Sequence, residues 1–222
     1  MSPAAAARIR ATLENELSWR RDEIRNLRNA QMSKKAATKT RALLVMLYAH
    51  LEGFAKFALE QYATTINHAQ VPIPSARKEL AAACLSSEFR NYRAPDSGDQ
   101  TDPEGNRARQ VTKDAELIER ILGLQSAVIQ LDIDSVTSTD SNLTTVVLHR
   151  NLAMLGLDRH EFYRFTSAVK GLLNFRNNIA HGQIINVPSD SSFLRLEDRI
   201  FDLCESLMRS IYEAVRDEEY LR

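Results

Sequence analysis

A bundle of long α-helices is the architecture to expect from this chain, and three observations lead there. Its 222 residues include only 7 Gly and 6 Pro, too few breakers for a turn-rich β protein. Apolar residues recur at steps of three and four over most of the length. No alternating stretch is long enough to require a sheet, and residues 183–187 ("QIINV") read as a short strand at most. One domain over 1–222 is the default for this length, which can bury a sizeable core.

Taken in order, residues 5–30 form a first, highly charged helix with Leu13, Leu17, Ile24 and Leu27 as its apolar stripe. The strongest helix covers 41–67, where Leu44, Leu47, Leu51, Phe54, Ala58 and Tyr62 share a face. Gly53 in its middle costs about 1 kcal/mol relative to Ala, and a Gly there admits close approach of another helix. "VPIP" (71–74) stops that helix, because each Pro removes a backbone donor. Residues 75–90 read as a short helix. Residues 91–107, rich in Pro, Gly, Asp and Ser, read as a mobile loop. Helical period returns over 109–130 through Val111, Ala115, Ile118, Leu122 and Val128, and 132–141 is a second polar connection. "NLTTVVLHRNLAMLGL" is a helix closed by Gly156. Asp158 and Glu161 make a capping box that opens a helix carrying Phe162, Phe165, Val169, Leu172 and Leu173, with Gly182 as its stop. A last helix, 192–217, carries Leu196, Ile200, Leu203, Cys204, Leu207, Ile211 and Val215. The helices at 41–67, 158–181 and 192–217 are expected to form the core, with 71–140 an elaboration between them.

Charge and composition exclude less than they permit. Lys+Arg and Asp+Glu are both 29, so no net field draws polyanions to the whole molecule, while a local patch can still bind nucleic acid. Cys84 and Cys204 are the only cysteines and have no metal-ligand spacing, so they read as two buried thiols in a reducing compartment. The first residues turn charged too early for a signal peptide, and no uninterrupted apolar run approaches the ~18 residues of a membrane span. A cytoplasmic protein without a membrane segment is expected. No phosphate-binding Gly loop, H-E-x-x-H or paired-Cys motif is present, so neither metal nor cofactor is expected.

The one run that concentrates chemistry is "FRNNIAHGQ", residues 175–183, with Arg176, Asn177, Asn178 and His181 at the end of an apolar helical face. Asn177 and His181 are four apart and share a face; Arg176 lies about 140° round from His181, within reach of a long side chain. The group offers a cation, an amide and an imidazole to one bound anion. That inventory suits metal-independent RNA cleavage. A His takes the 2′-hydroxyl proton, the oxygen attacks phosphorus, and an acid helps the 5′-oxygen leave, while Arg stabilises the pentacoordinate phosphorus. By spacing alone the run reads first as an ordinary helix end with a helix-end Arg and a capping His, and whether His181 acts as base or acid stays open.

"LLNFRNNIAHG" resembles the R-N-x-x-x-H signature of the HEPN superfamily (higher eukaryote and prokaryote nucleotide-binding domains). "LYAHLEGFAKFALEQY" (48–62), "WRRDEI" (19–24) and "SNLTTVVLHRNLAMLGLD" are similar to its standalone MAE-like branch. The resemblance touches most of the chain and is weakest over 71–135. It implies an all-α HEPN-type bundle that dimerises with its motif helices face to face. It also implies an endoribonuclease with a composite site, in a toxin–antitoxin, phage-defence or RNA-processing setting and with a cognate antitoxin protein as a candidate partner. Arg176, His181 and Asn177 map onto the motif. One subgroup of such toxins carries a modifiable Tyr two residues after the His; here that position is Gln183, so silencing by that route is not expected.

His50 and Glu52 are further candidates for support of the site. The plain alternatives are a structural His50 and a surface ion pair from Glu52 to Lys56. Tyr48 reads as core or dimer packing. Arg20, Arg21, Arg25 and Arg28 read as a solvated face that can also touch RNA phosphate. His68, His149 and His160 have no evident partners, and His160 reads as surface. The rival to an enzyme is a non-catalytic HEPN module that binds RNA, a nucleotide or a protein.

Overall fold

The computed structural model describes residues 3–30, 36–94, 103–183 and 186–222. Their helices, in order, are α1 (Pro3–Asn29), α2 (Ala36–His68), α3 (Lys78–Cys84), α4 (Ser86–Arg93), α5 (Pro103–Gly123), α6 (Ile133–Thr137), α7 (Thr145–Met154), α8 (Thr166–Ala180) and α9 (Asp190–Arg216), with 3₁₀ turns at Ile73–Ser75, Leu124–Ser126 and His160–Phe165. Among the described residues there is no strand, only isolated bridges. Of the expected short strand at 183–187, Ile184 and Ile185 lie outside the described residues. The fold is an all-α bundle, as expected.

Three helices, α1, α2 and α9, make the most extensive mutual contacts, and α8 lies mainly against α2. The expected core trio therefore omits a member. The charges of α1 conceal a full apolar stripe, in which Ala6, Ile9, Leu13, Leu17 and Ile24 are all buried. Arg28 of α1 also clamps α9 through a two-oxygen contact with the buried Glu197, at 3.1 and 3.0 Å. Ser189 caps α9 by accepting the Ser192 amide at 3.3 Å. By length and composition α2 is apolar enough to cross a membrane, which departs from the expectation of no such segment. In the bundle its apolar face is spent on packing: Leu44, Leu47, Leu51, Phe54 and Ala58 have no exposed surface.

Residues 71–140 divide in two. One part is core: Val71, Ile73, Leu80, Ile129, Leu131 and Val136 join the main apolar cluster. The buried Asn67 side chain fastens it to the end of α2, donating to the Leu131 carbonyl at 3.0 Å and accepting its amide at 2.8 Å. The other part is the α4–α5 pair. The expected loop at 91–107 is shorter than read, since α4 runs through Arg93 and α5 starts at Pro103; residues 95–102 lie outside the described residues. Pro at a first helical position is favourable, which hid this start inside a breaker-rich stretch. The polar connection at 132–141 contains α6, capped by Asp132 and too short to show a period. The apolar period over 109–130 is real but does not face the core: Val111, Ile118 and Leu122 are 66%, 57% and 61% exposed, because α5 turns its other side to α4.

The expected capping box at Asp158 and Glu161 does not form. Asp158 accepts the His160 amide at 2.8 Å, and Glu161 is taken by Arg164 and Arg209 at 3.2 and 2.7 Å. A 3₁₀ turn therefore precedes α8, which begins at Thr166. Cys204 is buried, and burial pushes its thiol up to about 12; Cys84 is only partly buried.

Candidate functional site

α8 delivers the motif. Val169 and Leu172 seat it in the core, and its last turn carries Arg176, Asn177 and Asn178, all half-buried. The helix ends in a Schellman closure: the Gly182 amide donates to the Ile179 carbonyl at 3.0 Å and the Gln183 amide to the Asn178 carbonyl at 2.9 Å. Gly182 sits at φ +71°, the left-handed region that Gly enters without steric cost. His181 is the C-cap, exposed, and its imidazole makes no hydrogen bond among the described residues.

Arg176 is oriented from two sides. Its Nη1 donates to Asn177 Oδ1 at 2.9 Å, and its guanidinium lies over the Tyr48 ring, 5.3 Å from the centroid. Tyr48 is 1% exposed and forms the floor. Burial, and then the charge of Glu52, push its phenol up to about 12, against the opposing pull of the Leu143 amide and Arg176. The floor is therefore a neutral, protonated ring. Tyr48 Oη and Asn142 Oδ1 are both buried without a hydrogen-bond partner among the described residues.

Glu52 shares the Tyr48 face of α2, four residues on, and accepts the Leu143 amide at 3.1 Å. The alternative of a Glu52–Lys56 ion pair does not form; Lys56 reaches Glu60 at 3.7 Å instead. The amide that precedes α7 needs an acceptor, and Glu52 supplies it. His50 does not join the motif. Two residues from Tyr48, it points about 200° away, into α1. There it is 4% exposed, with Arg20 Nη1 at 3.4 Å from Nδ1, Glu23 at 2.9 Å from Nε2, and the edge of Trp19 at 5.4 Å. The Glu23 approach lacks hydrogen-bond geometry, since Nε2 is left unsatisfied, and it becomes an ion pair only when the imidazole is protonated. Burial lowers the His50 pKa, with Glu23 opposing and Arg20 reinforcing. Arg20 also holds Glu16 at 2.5 Å. Gly53 makes room for it: a Cβ there would meet Arg20 Nη1 at 2.9 Å. The close approach that Gly53 permits is thus a guanidinium from α1 and not a helix backbone. The expected solvated arginine face is largely paired: Arg21 with Glu205, Arg25 with Asp22, Arg28 with Glu197.

A residue not singled out by spacing joins the motif end. Arg41 of α2 donates from Nη1 to the Gln183 carbonyl at 3.1 Å. Arg41, Tyr48 and Glu52 are seven and four apart, so one stripe of α2 faces α8. The signal that could have found Arg41 is charge spacing. No Asp or Glu occurs between Glu23 and Glu52, or between Glu161 and Asp190, and these are the two longest acid-free intervals in the chain. Among the described residues no three His, Cys, Asp or Glu side chains gather as a metal site. The arrangement can hold an anion at Arg176, and the C-cap of the same helix carries an imidazole that makes no hydrogen bond among the described residues. No curated protein and no solved structure matches the chain. The model of the family described as MAE_28990-like HEPN matches residues 9–220, from within α1 to beyond the end of α9, and the chain belongs to that HEPN family.

Proposed function

We propose that the chain is a metal-independent endoribonuclease of HEPN type, working as a cytoplasmic homodimer, in a toxin or phage-defence role. The observation that carries this reading is the contrast inside the motif: Arg176 is held in place by Asn177 and Tyr48, while His181, five residues on, stands exposed and its imidazole makes no hydrogen bond among the described residues. An Arg that only closed a helix end would not need that seat. In the reaction, a neutral imidazole removes the 2′-hydroxyl proton and O2′ attacks phosphorus. The P–O5′ bond then breaks with a proton delivered to O5′, leaving a 2′,3′-cyclic phosphate and a 5′-hydroxyl. Arg176 holds the phosphate oxygens as charge builds on them. One His cannot begin as both base and acid, so two chains sharing a cleft supply two imidazoles and two guanidinium groups.

The test is expression of the wild type and of His181→Ala in bacteria, scoring growth and RNA integrity, followed by purified protein with RNA in EDTA. Growth arrest and cleavage by the wild type alone are expected. Intact RNA in all settings removes the enzyme in favour of a binding module. Loss of activity on chelation overturns the metal-free chemistry, and an active monomer overturns the shared site.

A further inference from the structure

We propose that Arg41 is a phosphate anchor for the RNA strand beside the scissile bond, which extends the site from α8 onto α2. The identity of the ligand rests on the ribonuclease reading above; the geometry does not. Arg41 sits one to two residues of backbone from His181, through its bond to the Gln183 carbonyl. That bond uses one of its five N–H donors. No carboxylate pairs with it among the described residues, unlike Arg21, Arg25 and Arg28.

Its position fits a strand. Arg41 and Tyr48 are seven residues apart on α2, about 10 Å along the helix. Arg176 lies over Tyr48, and Gln183, which Arg41 touches, is seven residues after Arg176. α2 and α8 thus run antiparallel here, and the helix rise between Arg41 and Tyr48 is a length that one or two nucleotides span. His181 lies between Arg176 and Gln183 in sequence. The two acid-free intervals meet along this line, so no acid within either interval opposes an approaching phosphate. Glu52, on the same stripe one turn beyond Tyr48, is taken by the Leu143 amide.

The test is binding of a short, fluorescein-labelled, fully 2′-O-methylated RNA to the full-length protein. The methyl groups block the 2′-oxygen nucleophile, so binding is read without cleavage. Each phosphate neutralised on a single strand contributes about 0.7 to the slope of log K against log salt, or about fivefold in affinity near 0.1 M salt. Arg41→Gln is expected to flatten the slope by about that amount and to weaken binding about fivefold, equally for two unrelated sequences. Arg41→Lys keeps the charge and is expected to keep the slope. Lys39→Gln, on the opposite side of α2, is the control and should leave it unchanged. An unaltered slope in Arg41→Gln overturns the proposal, as does equal flattening in Arg41→Lys or Lys39→Gln, or a wild type that does not bind. A melting temperature matching wild type keeps a folding defect from imitating the result. If the slopes behave as expected but natural RNA stays intact, the nuclease reading falls and the phosphate anchor stands.

Discussion

Two regions of this molecule hold nearly the same residues. Between α1 and α2 sit Trp19, Arg20, Glu16, Glu23 and His50; at the end of α8 sit Tyr48, Arg176, Glu52 and His181. Each has an Arg over an aromatic ring, at 4.5 Å for Arg20 on Trp19 and 5.3 Å for Arg176 on Tyr48. They differ in wiring. In the first region, Arg20 is tied to Glu16 and contacts His50, which is buried against Glu23. In the second, Glu52 is consumed by a backbone amide, Arg176 meets only an amide and a ring, and His181 is bound to nothing among the described residues. The lesson is that inventory does not make a site. Unused hydrogen-bonding and charge capacity, facing solvent, does.

The comparison breaks most sharply on the two histidines. On the ribonuclease reading, His181→Ala lowers cleavage about 10³-fold, within the usual range for removing a general acid or base, and leaves the melting temperature alone. His50→Ala is expected to do the reverse. It removes the contact of Arg20 with the ring, leaving Arg20 on Glu16, and opens a void, and should cost about 2 kcal/mol in urea unfolding, with cleavage by the folded fraction close to wild type. A cleavage loss in His50→Ala as deep as in His181→Ala would dissolve the distinction.

A pH series sharpens it further. Burial holds the folded-state pKa of His50 below its ordinary 6.5, and burial does the same for His149. Below 6.5 the unfolded chain therefore takes up protons that the folded chain refuses. Stability should be complete above that value and fall as pH drops through it toward the depressed pKa. His50→Gln should flatten the dependence, read from denaturant midpoints on either side of the window. His181→Gln should leave it unchanged. The smallest expected effect is Gly182→Ala, about 1 kcal/mol, because Ala at φ +71° is strained while nothing crowds the added Cβ. Its informative readout is cleavage, which should suffer more than stability if the turn sets the imidazole in place.

Much of the fold was legible because long helices write their buried face into the period. The stop at Gly182, the closure at Gly156 and the core face of α9 are all local statements about backbone and spacing. The role of α1 was not legible, since its charges dominate the composition while a narrow stripe does the packing. The outward face of α5 was misleading for the opposite reason: periodicity reports an apolar face but not what lies opposite it. At the site, Arg176, Asn177 and His181 were legible as a run, whereas Arg41 lies 142 positions from Gln183 and only tertiary contact connects them. His50 and Glu52 sit two apart in one stretch, and helix geometry alone sends them to different neighbours.

The Schellman closure at Gly182 has a kinematic consequence. It holds the backbone on both sides of His181, so the Cα is a fixed pivot, while the imidazole on its two-bond arm makes no hydrogen bond among the described residues. What the fold prescribes is the centre and reach of a swing, not an orientation. In a pair of chains, two such arms would sweep the same phosphate. Which one removes the first proton would then be decided by how the strand lies across Arg176, and reversing the strand would exchange their duties.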